Sequence, residues 1–434
     1  MDWALILLSF FSALLLLMLT GINVFIAFLA VNLTATALLI GERGFGLFVN
    51  SVTDSISNGS YATIPLFILM GEILFRSGSV DVLFDSVDRL VGKVRGRLYA
   101  VVIVIATIFG ALSGAAVAVS AMLGRSAMPT MEARGYSPRL SATVILAGAS
   151  LAPIIPPSLL AIIIGSLADV SIAGLLIAGI IPGIVISIMT GVYVTTSVMR
   201  NPGLAPDDSE EEEQDRGSVL GALLRMVPFM FIIFMVMGMI MLGIATPGES
   251  AATGVVGSVL VAMLYKRASA GMLLAALTSA TRLSVMIMVI VASSTLFSQL
   301  VAFTGASRAL VAWATELGLS PMVMFFILMA LPLVLCMFID QIAFLLMAVP
   351  LYEPLVAALG YDPIWFWTIF LINLTVGGVT PPFGYTLFAL SAAAPNISVG
   401  QVFRASYPVL VIFLLAMLLM TFVPGIVTWL PSVL

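Results

Sequence analysis

The chain contains no histidine and a single cysteine, Cys336. The first absence removes His-ligated zinc, a Ser-His-Asp triad and a histidine proton relay together. The second excludes an internal disulfide framework and a Cys-based metal site. Charge is scarce as well: 9% of the residues carry one, against about a quarter in a soluble domain. The net charge of −4 therefore rests on few, clustered groups and says little about partners. A Walker A sequence is also missing, so no nucleotide-driven step is encoded here. The opening MDWALILLSFF carries Asp2 where a signal peptide has a basic n-region, and is expected to be a first span.

What is abundant is apolar: 62% of the 434 residues are hydrophobic, and apolar windows long enough to cross a bilayer recur from end to end. The fold class is thus an all-α polytopic integral membrane protein. In the first half, spans are expected near 3–19, 22–40, 61–76, 139–166 and 172–198. In the second they fall near 226–243, 247–265, 283–303, 364–390 and 406–430. Two further apolar runs, near 98–128 and 322–350, are interrupted, the first at Ser113-Gly114. Residues 201–217, NPGLAPDDSEEEEQDRG, form the only extended polar stretch and are expected to be a solvated acidic linker between 1–200 and 218–434.

The two halves resemble each other. GYSPRLSATVILAGASLAPIIPP, from Gly135, aligns without gaps on GYDPIWFWTIFLINLTVGGVTPP, from Gly360, at an offset of 225 residues. Gly, Tyr, Pro, Thr, Leu and both terminal prolines coincide, and punctuation of that kind is hard to obtain by chance. Each half then holds five spans, one of them broken at Pro-Pro, plus an interrupted run. If that run is a re-entrant hairpin, five spans is an odd number and the second half is inverted. Lysine and arginine test this independently. With the 77–97 loop in the cytoplasm, only Arg43 and Arg308 of the 17 basic residues fall outside. Both termini are then outside and the 201–217 linker inside.

Inverted repeats with broken helices are the architecture of secondary transporters, which bind substrate and ions near the midplane. APIIPPS and GGVTPPF occupy equivalent positions in the two halves. Proline lacks an N–H and clashes with the preceding turn, so each adjacent pair should break its helix and free carbonyls that can coordinate a cation. Such backbone is tolerable at membrane depth only where protein or a polar cavity covers it. The alternative is a pair of structural kinks. In GALSGAAVAVS, Ser113 and Gly114 form a small-residue tip suited to a hairpin or, alternatively, to close helix packing. MFIDQIAF places Asp340 in the corresponding context, where it either binds a cation or proton or caps the second arm. Glu249, after Pro247, reads as a helix-start carboxylate. The Met-rich run 226–241 reads as packing or lipid contact, and Arg125 and Arg282 as snorkelling cations.

At these motifs the sequence resembles the large membrane subunit, DctM-type, of TRAP (tripartite ATP-independent periplasmic) transporters. The resemblance is carried by SGAAVA, AMPTMEARGYSPRLSATVILAGASLAPIIPPS, AGIIPG, ATPGESAATGVVGSVL, MFIDQIAFLLMAVPLYEPLVAALGYDPIWF and VGGVTPPFGYTLFAL, and covers most of the chain. It implies a sodium-coupled importer of organic acids in a bacterial or archaeal inner membrane, with hairpins and broken helices moving as an elevator against a scaffold. It implies two protein partners: a small four-helix membrane subunit, expected on a separate chain, and a soluble periplasmic binding protein that delivers substrate. Sodium is the only ion implied; there is no cofactor and no nucleic-acid partner. Carried over by motif, one sodium site is expected at Ser113, Gly148, Ala152 and Pro153, and a second at Asp340, Gly378, Thr380 and Pro381. The substrate cavity is expected beside them, against Gly114, Ala115, Pro156, Pro157, Ser158 and Pro382. SGAAV is poorer in hydroxyls than in many relatives, which shifts coordination at the first site toward backbone carbonyls.

Two other classes compete. A passive channel would show flux without coupling, and the paired breaks argue against it. An intramembrane enzyme needs a base for a serine nucleophile or a second carboxylate beside Asp340, and neither is evident. C4-dicarboxylates, sialic acid, other sugar acids and ectoine-like solutes all remain open as substrates.

Overall fold

A computed structural model describes residues 3–78, 82–83, 86–87, 95–206 and 219–434. Every regular element among them is helical. The first half contains α1 (Trp3–Leu19), α2 (Val24–Leu39), α3 (Phe45–Ser57), α4 (Thr63–Arg76), α5 (Arg97–Ser113), α6 (Ala116–Ala133), α7 (Pro138–Leu151), α8 (Leu159–Leu167), α9 (Ile172–Ala178) and α10 (Ile180–Arg200). The second contains α11 (Val219–Met241), α12 (Pro247–Leu264), α13 (Ala270–Phe303), α14 (Ala306–Glu316), α15 (Pro321–Leu335), α16 (Gln341–Ala358), α17 (Pro363–Gly378), α18 (Tyr385–Ala393), α19 (Val399–Phe422) and α20 (Gly425–Val433). Six spans among the described residues are long and apolar enough to cross a membrane: Ile172–Arg200, Leu220–Met241, Pro247–Leu264, Ala270–Phe303, Gln341–Ala358 and Val399–Phe422.

Several expected boundaries shift. The run expected to start at 283 is a helix from Ala270, and the one expected at 406–430 is α19 followed by the separate α20. Helices α3 and α14 were not anticipated, because FGLFVNSVTDSIS and ASRALVAWATE mix polar and apolar residues and hold no long apolar run. The start of the linker is exposed at Asn201, Pro202 and Gly203 and is anchored to the first half: Arg95 donates to the carbonyls of Pro202 (2.8 Å) and Ala205 (3.2 Å), and Tyr99 to that of Leu204 (2.7 Å). The acidic part of the linker and most of the 77–97 loop lie outside the described residues.

Sequence chemistry explains the elements that matter for the site. Pro138 and Pro363 open α7 and α17 at a position where the missing N–H is harmless. Glu249 closes a capping box: its carboxylate accepts the Thr246 N–H (2.8 Å) and the Thr246 hydroxyl accepts the Glu249 N–H (3.3 Å). The Met-rich α11 has one packed face, with Phe229, Ile232, Val236 and Met237 buried, while Met230, Phe231 and Phe234 on its other face are exposed, as a membrane helix with one protein contact requires.

Two helical hairpins and two broken helices pack crosswise. In the first hairpin α5 packs on α7, and in the second α15 packs on α17. The other arms pack on both halves: α6 on α7 and equally on α18, and α16 on α17 and on α8. The second hairpin is antiparallel, with Tyr352 on α16 donating to the Leu328 carbonyl on α15 at 2.8 Å. Ser120 on α6 donates to the Thr386 carbonyl on α18 at 3.1 Å, tying the first hairpin to the second broken helix.

Candidate functional site

The first break runs from Ala152 to Ser158 and joins α7 to α8. Pro156 and Pro157 have no N–H to return to the carbonyls of Ala152 and Pro153. Ser158 compensates one of them. Its hydroxyl donates to the Pro153 carbonyl, and its oxygen accepts the Ala161 N–H at 3.1 Å, capping α8. Among the described residues no backbone N–H reaches the Ala152 carbonyl. The peptide bond between the two prolines is cis, as it is in the second break.

The first hairpin lies directly on this break. At its tip Gly114 adopts φ +62°, the left-handed region that favours glycine, and a Cβ there would sit 3.3 Å from the Leu159 nitrogen and 3.4 Å from the Pro157 carbonyl oxygen. Gly110 on α5 is tighter still: a Cβ would lie 2.9 Å from the Ala152 Cα. Gly71 on α4 closes the other side against Ser113. The structure thus gathers Ser113, Gly114, Ala152, Pro157 and Ser158 in one place. Gly148, expected with them, seats lower, against Ala106 of α5.

The second break runs from Val379 to Gly384 between α17 and α18. Pro381 and Pro382 deprive the Gly377 and Gly378 carbonyls of helical donors. Gly377 recovers the Thr380 N–H at 3.1 Å, whereas no backbone N–H among the described residues reaches Gly378. The Thr380 hydroxyl donates to the Val376 carbonyl at 2.6 Å, which leaves its oxygen lone pairs outward. A Cβ on Gly384 would meet the carbonyl oxygens of Gly378 (2.9 Å) and Thr380 (3.0 Å), so the chain turns back over two carbonyls.

Asp340 stands exposed at the second tip and caps α16, accepting the N–H groups of Ile342 (3.0 Å) and Ala343 (3.3 Å). Two buried polar residues, Gln341 and Asn373, and the half-buried Tyr385 escaped sequence reasoning. The Gln341 amide donates to the Leu374 carbonyl at 2.6 Å, and a Cβ on Gly378 would lie 2.6 Å from its nitrogen and 2.9 Å from the Tyr385 hydroxyl. Asn373 donates to the Met329 carbonyl at 2.6 Å, while its fully buried amide oxygen has no partner among the described residues. An amide in the apolar run FLINLTV was the signal available for Asn373. Each break thus leaves one main-chain carbonyl, Ala152 or Gly378, without a backbone donor among the described residues, next to a hairpin tip, and a carbonyl oxygen is a ligand that hard cations take.

The comparison with known families bears on this arrangement. A family described as "Tripartite ATP-independent periplasmic transporter, DctM component" matches residues 11–426. The chain belongs to that family. It is similar to the C4-dicarboxylate TRAP transporter large permease protein of Pseudomonas aeruginosa, at 28% identity covering 85% of each chain. It is also similar to the ectoine/5-hydroxyectoine large permease of Ruegeria pomeroyi, at 27% identity over 97% of this chain and 98% of the relative. A third relative, the isethionate permease DctMQ of Oleidesulfovibrio alaskensis, is 26% identical over 90% of this chain, which spans 61% of the relative. Among solved structures the Alcanivorax borkumensis YdaH transporter shares the fold, with a TM-score of 0.66, 14% identity and coverage of 96% of this chain and 97% of that one. The DctM-family chain is thus a multi-pass transporter permease.

Proposed function

We propose that this chain is the transport subunit of a sodium-coupled TRAP importer that takes up an organic acid handed over by a periplasmic binding protein. The observation that carries the reading is the matched pair of breaks: at each, one carbonyl, Ala152 or Gly378, keeps no backbone donor beside a hairpin tip. The two halves act as inverted repeats in the inner membrane, both termini periplasmic, and the hairpins with α7–α8 and α17–α18 move as one elevator body. The crossed packing of α6 on α18 and α16 on α8 supports a single moving body, since each hairpin is tied to the other half's broken helix. Sodium binds around Ser113, Ala152 and Pro153 at the first break, and around Asp340, Gly378, Thr380 and Pro381 at the second. Substrate lies between them, against Gly114, Ala115, Pro156, Pro157, Ser158 and Pro382. A small four-helix membrane subunit on another chain completes the transporter.

Reconstitution of the chain with its small subunit and binding protein in liposomes tests the reading. Uptake of a labelled C4-dicarboxylate, sialic acid, ectoine or isethionate should follow an imposed sodium gradient and saturate, without ATP. Uptake that requires ATP and ignores sodium would overturn it.

A further inference from the structure

Away from both breaks, a cleft of about 390 Å³ opens between the C-terminal halves of α13 and α16, the end of α8 and the segment before α4. In a chain this apolar its lining is unusual: Ser294, Thr295, Ser298, Ser307 and Tyr61 contribute hydroxyls, and Glu353 contributes a carboxylate. No basic residue lines it, and Glu353 makes no ion pair among the described residues. Asp169, in the turn after α8, adds a second negative charge within electrostatic reach.

Two details fix the polarity of the cleft. The Ser294 hydroxyl donates to the Leu346 carbonyl, which has lost its helical donor because Pro350 has no N–H. The Thr295 hydroxyl donates to the Val291 carbonyl at 3.1 Å. With their protons committed, both oxygens can only offer lone pairs. One turn further along α16, Pro354 in the same way deprives the Pro350 carbonyl of its donor, and Pro350 lines the cleft. Ser298, Ser307 and Tyr61 still have hydroxyl protons to give, but the Glu353 carboxylate and a lining without a basic residue disfavour an anion, whereas a cation meets what hard cations take as ligands.

We propose that this cleft binds a hard monovalent cation, held by the Glu353 carboxylate, the Pro350 carbonyl and the hydroxyl oxygens of α13. Glu353 is the one carboxylate in the lining and balances one unit charge, while Asp169 acts from outside the lining. Glu353 lies thirteen residues beyond Asp340 on α16, about 20 Å along the helix, so the site is separate from the second break. A cation there bridges α13 to the second hairpin beside the Ser294–Leu346 contact.

Counting bound ²²Na⁺ at saturation on the purified full-length chain in nanodiscs tests the site. Glu353→Gln should bind one ion fewer than wild type, Glu353→Asp should retain it, and Asp340→Asn should leave the Glu353-dependent ion in place. An unchanged count in Glu353→Gln overturns the proposal, as does displacement of that ion by choline at equal concentration, which would mark an organic-ammonium pocket instead. The count does not depend on uptake, so loss of sodium-driven transport in the reconstituted system would sink the coupling reading and leave this one standing.

Discussion

Gly377 of α17 approaches Cys336, the residue that ends α15, so closely that a Cβ on the glycine would lie 3.1 Å from the cysteine Cα and 3.0 Å from its carbonyl carbon. Both are backbone atoms, so no flexible side-chain end can give way. Gly377→Val should push the second tip off α17 and cost about 1–3 kcal/mol, as overpacking of a filled core does. The thermal midpoint of the purified chain should fall, and Cys336, buried in the wild type, should react faster with a thiol reagent. Gly191, which has nothing within 4 Å of its Cβ position, is the control. Equal midpoints and alkylation rates in Gly377→Val and Gly191→Ala would show that the close seat is dispensable.

Ser158 has two tasks, capping α8 and holding the Pro153 carbonyl. Ser158→Ala removes both, with a loss of about 1 kcal/mol expected from the cap alone. Ser171 caps α9 through the Gly174 N–H at 3.0 Å and touches neither break, so Ser171→Ala provides a matched loss of stability. The half-saturating sodium concentration for uptake should rise in Ser158→Ala and stay at the wild-type value in Ser171→Ala. A common value in both would reduce Ser158 to a helix cap.

Asp340 carries the same ambiguity in sharper form, because the carboxylate that caps α16 also supplies a charge at the second tip. Asparagine caps a helix about as well as aspartate but is neutral. Asp340→Asn is therefore expected to keep the wild-type thermal midpoint and lose sodium-dependent uptake, while Asp340→Ala loses both. Full uptake by Asp340→Asn would leave the residue a cap and nothing more.

The breaks were legible in the sequence because proline acts through covalent structure: single prolines such as Pro350 and Pro354 are carried inside α16, but the adjacent pairs Pro156-Pro157 and Pro381-Pro382 remove two successive N–H groups and the helix stops there. The tip at Gly114 was legible for a similar local reason. What surrounds the breaks was not. Gln341 reaches Leu374 and Ser120 reaches Thr386 across 33 and 266 positions, and nothing in a single chain's periodicity announces such a partner. Helices α3 and α14 were missed because their mixed polarity lacks the long apolar run by which spans were found. The start of α13 was set too late because its first turns, Ala270 to Arg282, mix Thr278, Ser279, Thr281 and Arg282 with apolar residues and fall outside the long apolar run that follows.

The paired breaks permit a test of the central idea at the level of sequence. Replacing Pro156 and Pro157 by alanine returns two N–H groups, which can bond the Ala152 and Pro153 carbonyls and let α7 run toward α8. The helix gains regularity, so a purely structural kink would become neutral or more stable. If instead the freed carbonyls hold sodium next to the substrate, the same change should abolish sodium-dependent uptake while leaving the thermal midpoint in sodium-free buffer unchanged or higher. The equivalent change at Pro381 and Pro382 should behave alike, since there too a carbonyl, that of Gly378, loses its availability. Wild-type uptake in the Pro156→Ala, Pro157→Ala double variant would show that the kink is architecture and that the ion binds elsewhere.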